Sequence, residues 1–253
     1  MPHSAGFDLL RAAVPTVSIG VVTANLLSLG SEIALLERTD AKLAHIDVMD
    51  GCFCPMMTVG PPFIKAIKTS LLKDVHLMID EPLEKVAEYV EVGADIVTIH
   101  PEACSHVHQV LQKLGTLTNA NDAQRGIIRG VALNPGMPLE VLDPLLEQVE
   151  LISLLAVNPG WRGQKYVAST TRRIARIQRI IADSGKDILL CVDGGITKEN
   201  IAEVAATGAD LIVAGSAVFD GKSPEANAQF MLETVAATGR KRSAEGRKQQ
   251  ATL

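Results

Sequence analysis

Apolar residues in this chain fall into short runs, separated by longer stretches in which they recur every three or four positions. The runs cover 17–22, 43–49, 74–78, 96–100, 127–133, 151–157, 188–192 and 211–214. They are too short for helices and most are rich in Val, Ile and Leu, as strands buried on both faces should be. Between them, 26–37, 83–92, 139–148, 170–184 and 198–207 place charges between apolar positions at helical spacing, which predicts helices with one face on a core. Thr197 is a predicted N-cap, and Gly93 and Gly208 stand where helices should stop.

Strand–helix alternation implies parallel strands joined by right-handed crossovers. Eight such units in 253 residues favour an α/β fold of the closed (β/α)8 kind, a TIM barrel. An open doubly wound sheet fits the same alternation. No break in composition divides the chain, so a single domain over 1–253 is expected. Its basic end (Arg240 to Arg242, then Arg247 and Lys248) reads as a disordered tail over 240–253. The polar stretch 115–125 reads as a surface excursion before the fifth strand.

Aromatic residues make up only 3 %, so aliphatic side chains must build the core. A formal net charge of −5, with no basic patch carrying stacking aromatics, argues against nucleic acid as a partner. No apolar run approaches the roughly 20 residues a membrane helix needs. Residues 1–10 also lack a basic start followed by a long apolar stretch. Cys52, Cys54, Cys104 and Cys191 form no CxxC pair. A reduced, cytoplasmic protein without a membrane partner is the expectation.

Barrels of this kind carry their chemistry at the C-terminal ends of the strands. There, alternation puts His45 and Asp47 on one side of the second strand, the third supplies His76, and the seventh ends at Asp193. A single strand histidine is ordinarily a satisfied core residue, and an Asp before Gly-Gly is ordinarily a turn residue. Four such residues at strand ends also suit one shared divalent cation, because buried charge is costly unless paired or metal-bound. Mixed N/O donors fit zinc, and also iron, manganese or cobalt. Gly194-Gly195 and Gly215-Ser216 follow the seventh and eighth strands, where barrels often bind phosphate. A third glycine loop, 158–164, follows the sixth strand and could cover a substrate or be a tight connection.

Taken as a set, several strings resemble the ribulose-phosphate 3-epimerase family from about Val17 to Phe219. They are His45-Ile-Asp-Val-Met-Asp-Gly51, Thr58-Val-Gly-Pro-Pro62, His76-Leu-Met78, His100-Pro-Glu-Ala103, Ala132-Leu-Asn-Pro135, Asn158-Pro-Gly160 with Gly163-Gln164, Val192-Asp-Gly-Gly195 and Gly215-Ser216. The resemblance implies an isomerase that inverts C3 of a phosphorylated ketose through an enediolate. The substrate would be ribulose 5-phosphate or a relative such as allulose 6-phosphate. One divalent ion, zinc foremost, would be held by His45, Asp47, His76 and Asp193. Asp47 and Asp193 would be the acid/base pair. Gly194, Gly195, Gly215 and Ser216 would hold the phosphate, with Gly160 and Gly163 in a loop over the substrate. Homo-oligomers are common in that family, but no residue pattern here sets a subunit number.

Departures from the family pattern cluster around the substrate. Gly20 stands where a substrate-contacting Ser is usual, so that hydroxyl is lost unless Ser18 or Thr23 supplies it. Met56 replaces an Asn, Leu155 takes the third place of a methionine cap with Met49 and Met78, and Trp161-Arg162 replaces a smaller pair. These changes motivate an altered substrate, or a non-catalytic sugar-phosphate-binding barrel. The four ionisable residues argue against the latter. Related decarboxylases carry Asp-x-Lys-x-x-Asp on a strand, and Asp47-Val-Met-Asp50 has no lysine in that arrangement.

Overall fold

The computed structural model describes residues 4–161 and 163–250. Every predicted apolar run overlaps a strand: β1 (Thr16–Gly20), β2 (Leu43–Met49), β3 (Leu72–Met78), β4 (Ile96–Ile99), β5 (Ile128–Leu133), β6 (Leu151–Leu155), β7 (Leu189–Asp193) and β8 (Leu211–Ala214). Neighbours pair in parallel in chain order and β8 pairs with β1, closing the barrel and excluding the open sheet. The helices are α1 (Ala5–Ala13), α2 (Leu29–Leu36), α3 (Pro61–Ala66), α4 (Val86–Glu91), α5 (Val107–Leu114), α6 (Thr170–Ser184), α7 (Ile201–Ala206) and α8 (Pro224–Gln250). No helix among the described residues is long and apolar enough to cross a membrane.

Period-two alternation divides the strands into two cores. Outward residues such as Ile46, Val75, Val97, Val131, Ile152, Val192 and Ile212 pack beneath the helices. Inward residues form layers. The lowest holds Leu43, Leu72, Ile96, Ile128, Leu151, Leu189 and Leu211, and it is closed from below by Phe7 and Leu10 of α1. Ser4 caps α1 by accepting from the Phe7 N–H at 3.2 Å. This floor keeps water out of the barrel, so the donor layers above it are reached from the opposite mouth.

Several sequence expectations shift locally. Residues 139–148 form a 3-10 helix, Leu139–Leu145, because Pro144 lies inside it and removes a backbone donor. The N-cap residue of α7 is Asn200, while Thr197 Oγ1 accepts from the Asn200 N–H at 3.3 Å one turn earlier. The stretch 115–125 is not only surface. Asn119 is buried and donates to Asp95 Oδ1 at 3.0 Å, tying this loop beneath β4. The tail expected over 240–253 is helical in backbone as far as Gln250, in a sequence of strong helix formers, and 251–253 lie outside the described residues.

Candidate active site

Alternation along β2 turns Leu43, His45, Asp47 and Met49 inward as successive rungs, and β3 does the same with Leu72, Asp74, His76 and Met78. The register sets His45 beside Asp74, Asp47 beside His76 and Met49 beside Met78. Asp193 ends β7 next to Leu155 of β6. One donor atom from each of His45, Asp47, His76 and Asp193 lies within 4.8 Å of the others, so the four residues singled out in the sequence come together. His45 Nε2 is 3.2 Å from Asp47 Oδ1 and 3.9 Å from Asp193 Oδ2. His76 Nδ1 is 3.3 Å from Asp47 Oδ1 and 3.4 Å from Asp193 Oδ2.

This donor set fits a divalent ion. Two imidazole nitrogens and two carboxylate oxygens face one point, and His76 Nδ1 is buried there without a hydrogen-bond partner. A buried nitrogen left in that state is costly unless something else engages it. The other nitrogen of His45 is committed elsewhere: Nδ1 meets Asp74 Oδ2 at 2.7 Å, and the same oxygen accepts from Ser18 Oγ at 2.7 Å. An N–H at Nδ1 leaves the Nε2 lone pair for the cluster, the usual outer partnership of a metal-ligating histidine.

Without a cation the cluster balances its charge by protons. Burial opposes charging His45, but Asp74 and Asp47 outweigh it and hold its pKa well above the ordinary value. Burial likewise opposes charging His76, and the Asp193 and Asp47 carboxylates facing its Nδ1 override it to raise the pKa to about 9. Asp47 is also desolvated, yet His45 and His76 hold its carboxyl far below the usual range. A cation must therefore displace the extra proton from each imidazole. We expect divalent-ion affinity to rise with pH up to about 9 and binding near pH 7 to release protons. Calorimetry in buffers of different ionisation heat measures this; an affinity independent of pH between about 6 and 8 would contradict it.

Above the cluster lies a cavity of about 170 Å³ whose wall includes Asp47, Asp193, Met49, Met56, Met78, Leu155 and Trp161. A cleft of about 700 Å³ shares Thr23, Val157 and Trp161 with it and is lined further out by Gly163, Gln164, Lys165, Gly195, Thr197 and Ser216. Gly160 and Gly194 line the inner cavity. Gly215 stands behind the wall, and a Cβ on Gly20 would lie 3.1 Å from its Cα. Neither α7 nor α8 starts at these glycines. After β8 the chain makes one tight turn, with the Val218 and Phe219 N–H groups donating to Gly215 O, so a long helix dipole is not aimed at the cleft.

Two glycines are required by close approach. Gly195 has φ +67°, and a Cβ there would come within 2.9 Å of the Tyr166 backbone nitrogen. Gly160 has φ +99°, and a Cβ would reach within 2.6 Å of Pro55, so the loop after β6 sits directly on the loop after β2. Of the two hydroxyls considered for the Gly20 position, Ser18 lies one rung lower, bound to Asp74. Thr23 reaches both chambers while donating to Gly20 O at 2.8 Å. Arg162 lies outside the described residues.

Sequence reading overlooked Asp74, which appeared there only as a strand residue, and Thr58. Thr58 Oγ1 donates to Asp47 O at 2.6 Å and accepts from the Met49 N–H at 2.9 Å, pinning the loop after β2 onto the strand that carries two of the donors. One rung of alternation along β3 places Asp74 on the same face as His76, a signal present in the sequence. His100, directly after β4, has Nε2 2.9 Å from His76 Nε2, while His106 and His108 are exposed.

A sequence model described as the ribulose-phosphate 3 epimerase family matches residues 16–219. The chain is 40 % identical over 206 residues to a ribulose-phosphate 3-epimerase of Bacillus subtilis, covering 80 % of this chain and 91 % of that one. It is 38 % identical over 210 residues to a chloroplastic ribulose-5-phosphate-3-epimerase of Arabidopsis thaliana, covering 81 % and 72 %. Among solved structures, 3-hexulose-6-phosphate synthase from Salmonella typhimurium superposes with a TM-score of 0.61 at 16 % identity, covering 88 % of this chain and 99 % of that one, a likeness of fold.

Proposed function

The chain belongs to the ribulose-phosphate 3-epimerase family and is an isomerase, and on that premise we propose that it inverts C3 of ribulose 5-phosphate or a closely related ketose phosphate. The observation carrying this reading is the convergence of His45, Asp47, His76 and Asp193 within 4.8 Å at the base of a cavity that opens into a glycine-lined cleft. The cavity suits the reacting carbons and the cleft suits a phosphate. There, the backbone N–H groups of Gly195 and Ser216, together with Gly163, offer donors without a bulky side chain. Gly194 and Gly215 support those turns, and Gly160 seats the covering loop.

His45, Asp47, His76 and Asp193 would hold one divalent ion, zinc by the character of the donors, with iron, manganese or cobalt also suited. When bound, such an ion supplies Lewis-acid stabilisation of the negative charge that develops on the ketone oxygen. The carboxylates carry the proton. Asp47 on β2 and Asp193 on β7 both line the inner cavity from strands separated by β1 and β8. The cluster engages Asp47 Oδ1 and Asp193 Oδ2, which leaves each residue a second oxygen for proton transfer. One takes the C3 proton, giving the enediolate, and the other returns a proton to the opposite face. Met49, Met56, Met78 and Leu155 exclude water around that carbon, which strengthens the electrostatic contacts and limits loss of the intermediate.

The test is C3 hydrogen exchange and epimerisation in deuterated solvent, with ribulose 5-phosphate compared against allulose 6-phosphate and a four-carbon ketose phosphate. Metal analysis of the same sample completes it. Turnover of a ketose phosphate with C3 deuteration and one ion per chain supports the reading. Binding without exchange would instead describe a sugar-phosphate-binding barrel. Preference for a substrate other than ribulose 5-phosphate would trace to Met56, Leu155 and Trp161, the cavity-wall positions that depart from the family pattern the sequence resembles.

A further inference from the structure

His76 differs from His45 in what stands behind it. His45 is backed by a carboxylate, Asp74, at 2.7 Å. His76 is backed by a second imidazole: its Nε2 meets His100 Nε2 at 2.9 Å, and both rings are buried. His100 Nδ1 faces Glu102 Oε1 at 3.4 Å, and that oxygen also accepts from the Asn134 N–H at 3.4 Å. Phe53 packs against His100 with ring centroids 4.8 Å apart.

Hydrogen counting fixes the direction of this chain. Two nitrogens at 2.9 Å share one hydrogen. A neutral imidazole has one N–H. If His76 Nδ1 presents its lone pair to a cation, the single N–H of His76 is on Nε2 and donates to His100. His100 Nε2 must then be bare, its own N–H lies on Nδ1, and that N–H points at Glu102. Reversing any link puts a hydrogen on His76 Nδ1, facing the cation.

We propose that His100 and Glu102 are positioning residues that hold His76 in the tautomer whose Nδ1 can bind a divalent ion. The inference rests on the metal-binding reading of the four-residue cluster. Its consequence is specific: His100 serves as a hydrogen-bond acceptor, and its ring packing is secondary. Outer partners of ligating histidines are typically worth about 10–100-fold in metal affinity.

The test compares His100→Leu with His100→Gln in the full chain. Gln can present its amide oxygen near the position of Nε2, and Leu cannot. Both are stripped of metal and titrated with Zn2+ against a chromophoric chelator, then with Co2+ to record its visible absorption, with folding checked by circular dichroism. His100→Leu is expected to weaken Zn2+ binding by roughly 10–100-fold and change the Co2+ spectrum, while His100→Gln stays within roughly fivefold of the parent. Glu102→Gln, which removes the charge and keeps an acceptor oxygen, is expected to lie between them. Equal losses in His100→Leu and His100→Gln would overturn the acceptor role, as would a folded His100→Leu that binds Zn2+ like the parent. A parent chain that binds no divalent ion would instead remove the metal reading, and the relay with it.

Discussion

On the proposed mechanism, Asp47→Asn and Asp193→Asn are each expected to lower epimerisation by roughly 10³-fold or more and to stop exchange of the C3 hydrogen with solvent. The substitution is nearly isosteric and leaves the cavity its shape, so the loss is chemical. An amide cannot take a proton from carbon at neutral pH, and it offers the cluster a neutral oxygen in place of a charged one. The two effects reinforce each other because the same side chains line the inner cavity and converge with His45 and His76. Proton NMR of a ketose phosphate in deuterated solvent reads exchange and epimerisation separately. Loss of epimerisation with retained exchange in either variant would mean that the remaining carboxylate works alone on one face and that the ion site survives. That result would separate the acid/base role from the ligand role.

Phe7→Ala is expected to destabilise the chain by about 3–5 kcal/mol while leaving the geometry of the mouth intact. Phe7 is fully buried against the lowest interior layer, and it lies at the end of the barrel away from Asp47 and Asp193. Truncation leaves a cavity between α1 and seven strands that are held by their own hydrogen-bond ladder and cannot collapse around it. For a chain of this length each kcal/mol lowers the midpoint by about 2–4 °C, so a drop of roughly 10 °C is expected. Calorimetry with parallel kinetics at low temperature measures both quantities. A midpoint shift below about 2 °C would show that α1 does not plug the barrel.

The strands were legible because burial on both faces writes them as short runs rich in aliphatic residues, and 43–49 and 211–214 match to the residue. The four ionisable residues were legible for a related reason: alternation along β2 alone puts His45 and Asp47 on one face. Partners across strands were not. Asp74 backs His45 only because β2 and β3 pair in a register that aligns them, and His100 reaches His76 only because β4 follows next around the closed barrel. Register is a property of the assembled sheet, so the outer partners stayed hidden while the inner donors did not. The plug helix was missed although Ser4, Phe7 and Leu10 carry a cap and a three-residue spacing. With so few residues before the first strand, the segment gave no sign of which surface it would cover.

The separation of donor layers from connecting loops has a consequence for how such a protein can diversify. The four clustered donors are borne by strand rungs locked between an apolar floor and an outer sleeve of helices. Gly20 ends β1, and Met56 and Trp161 lie in the loops after β2 and β6, on the wall of the inner cavity. Substitutions at the rim are therefore expected to change which sugar is admitted without disturbing the rungs beneath.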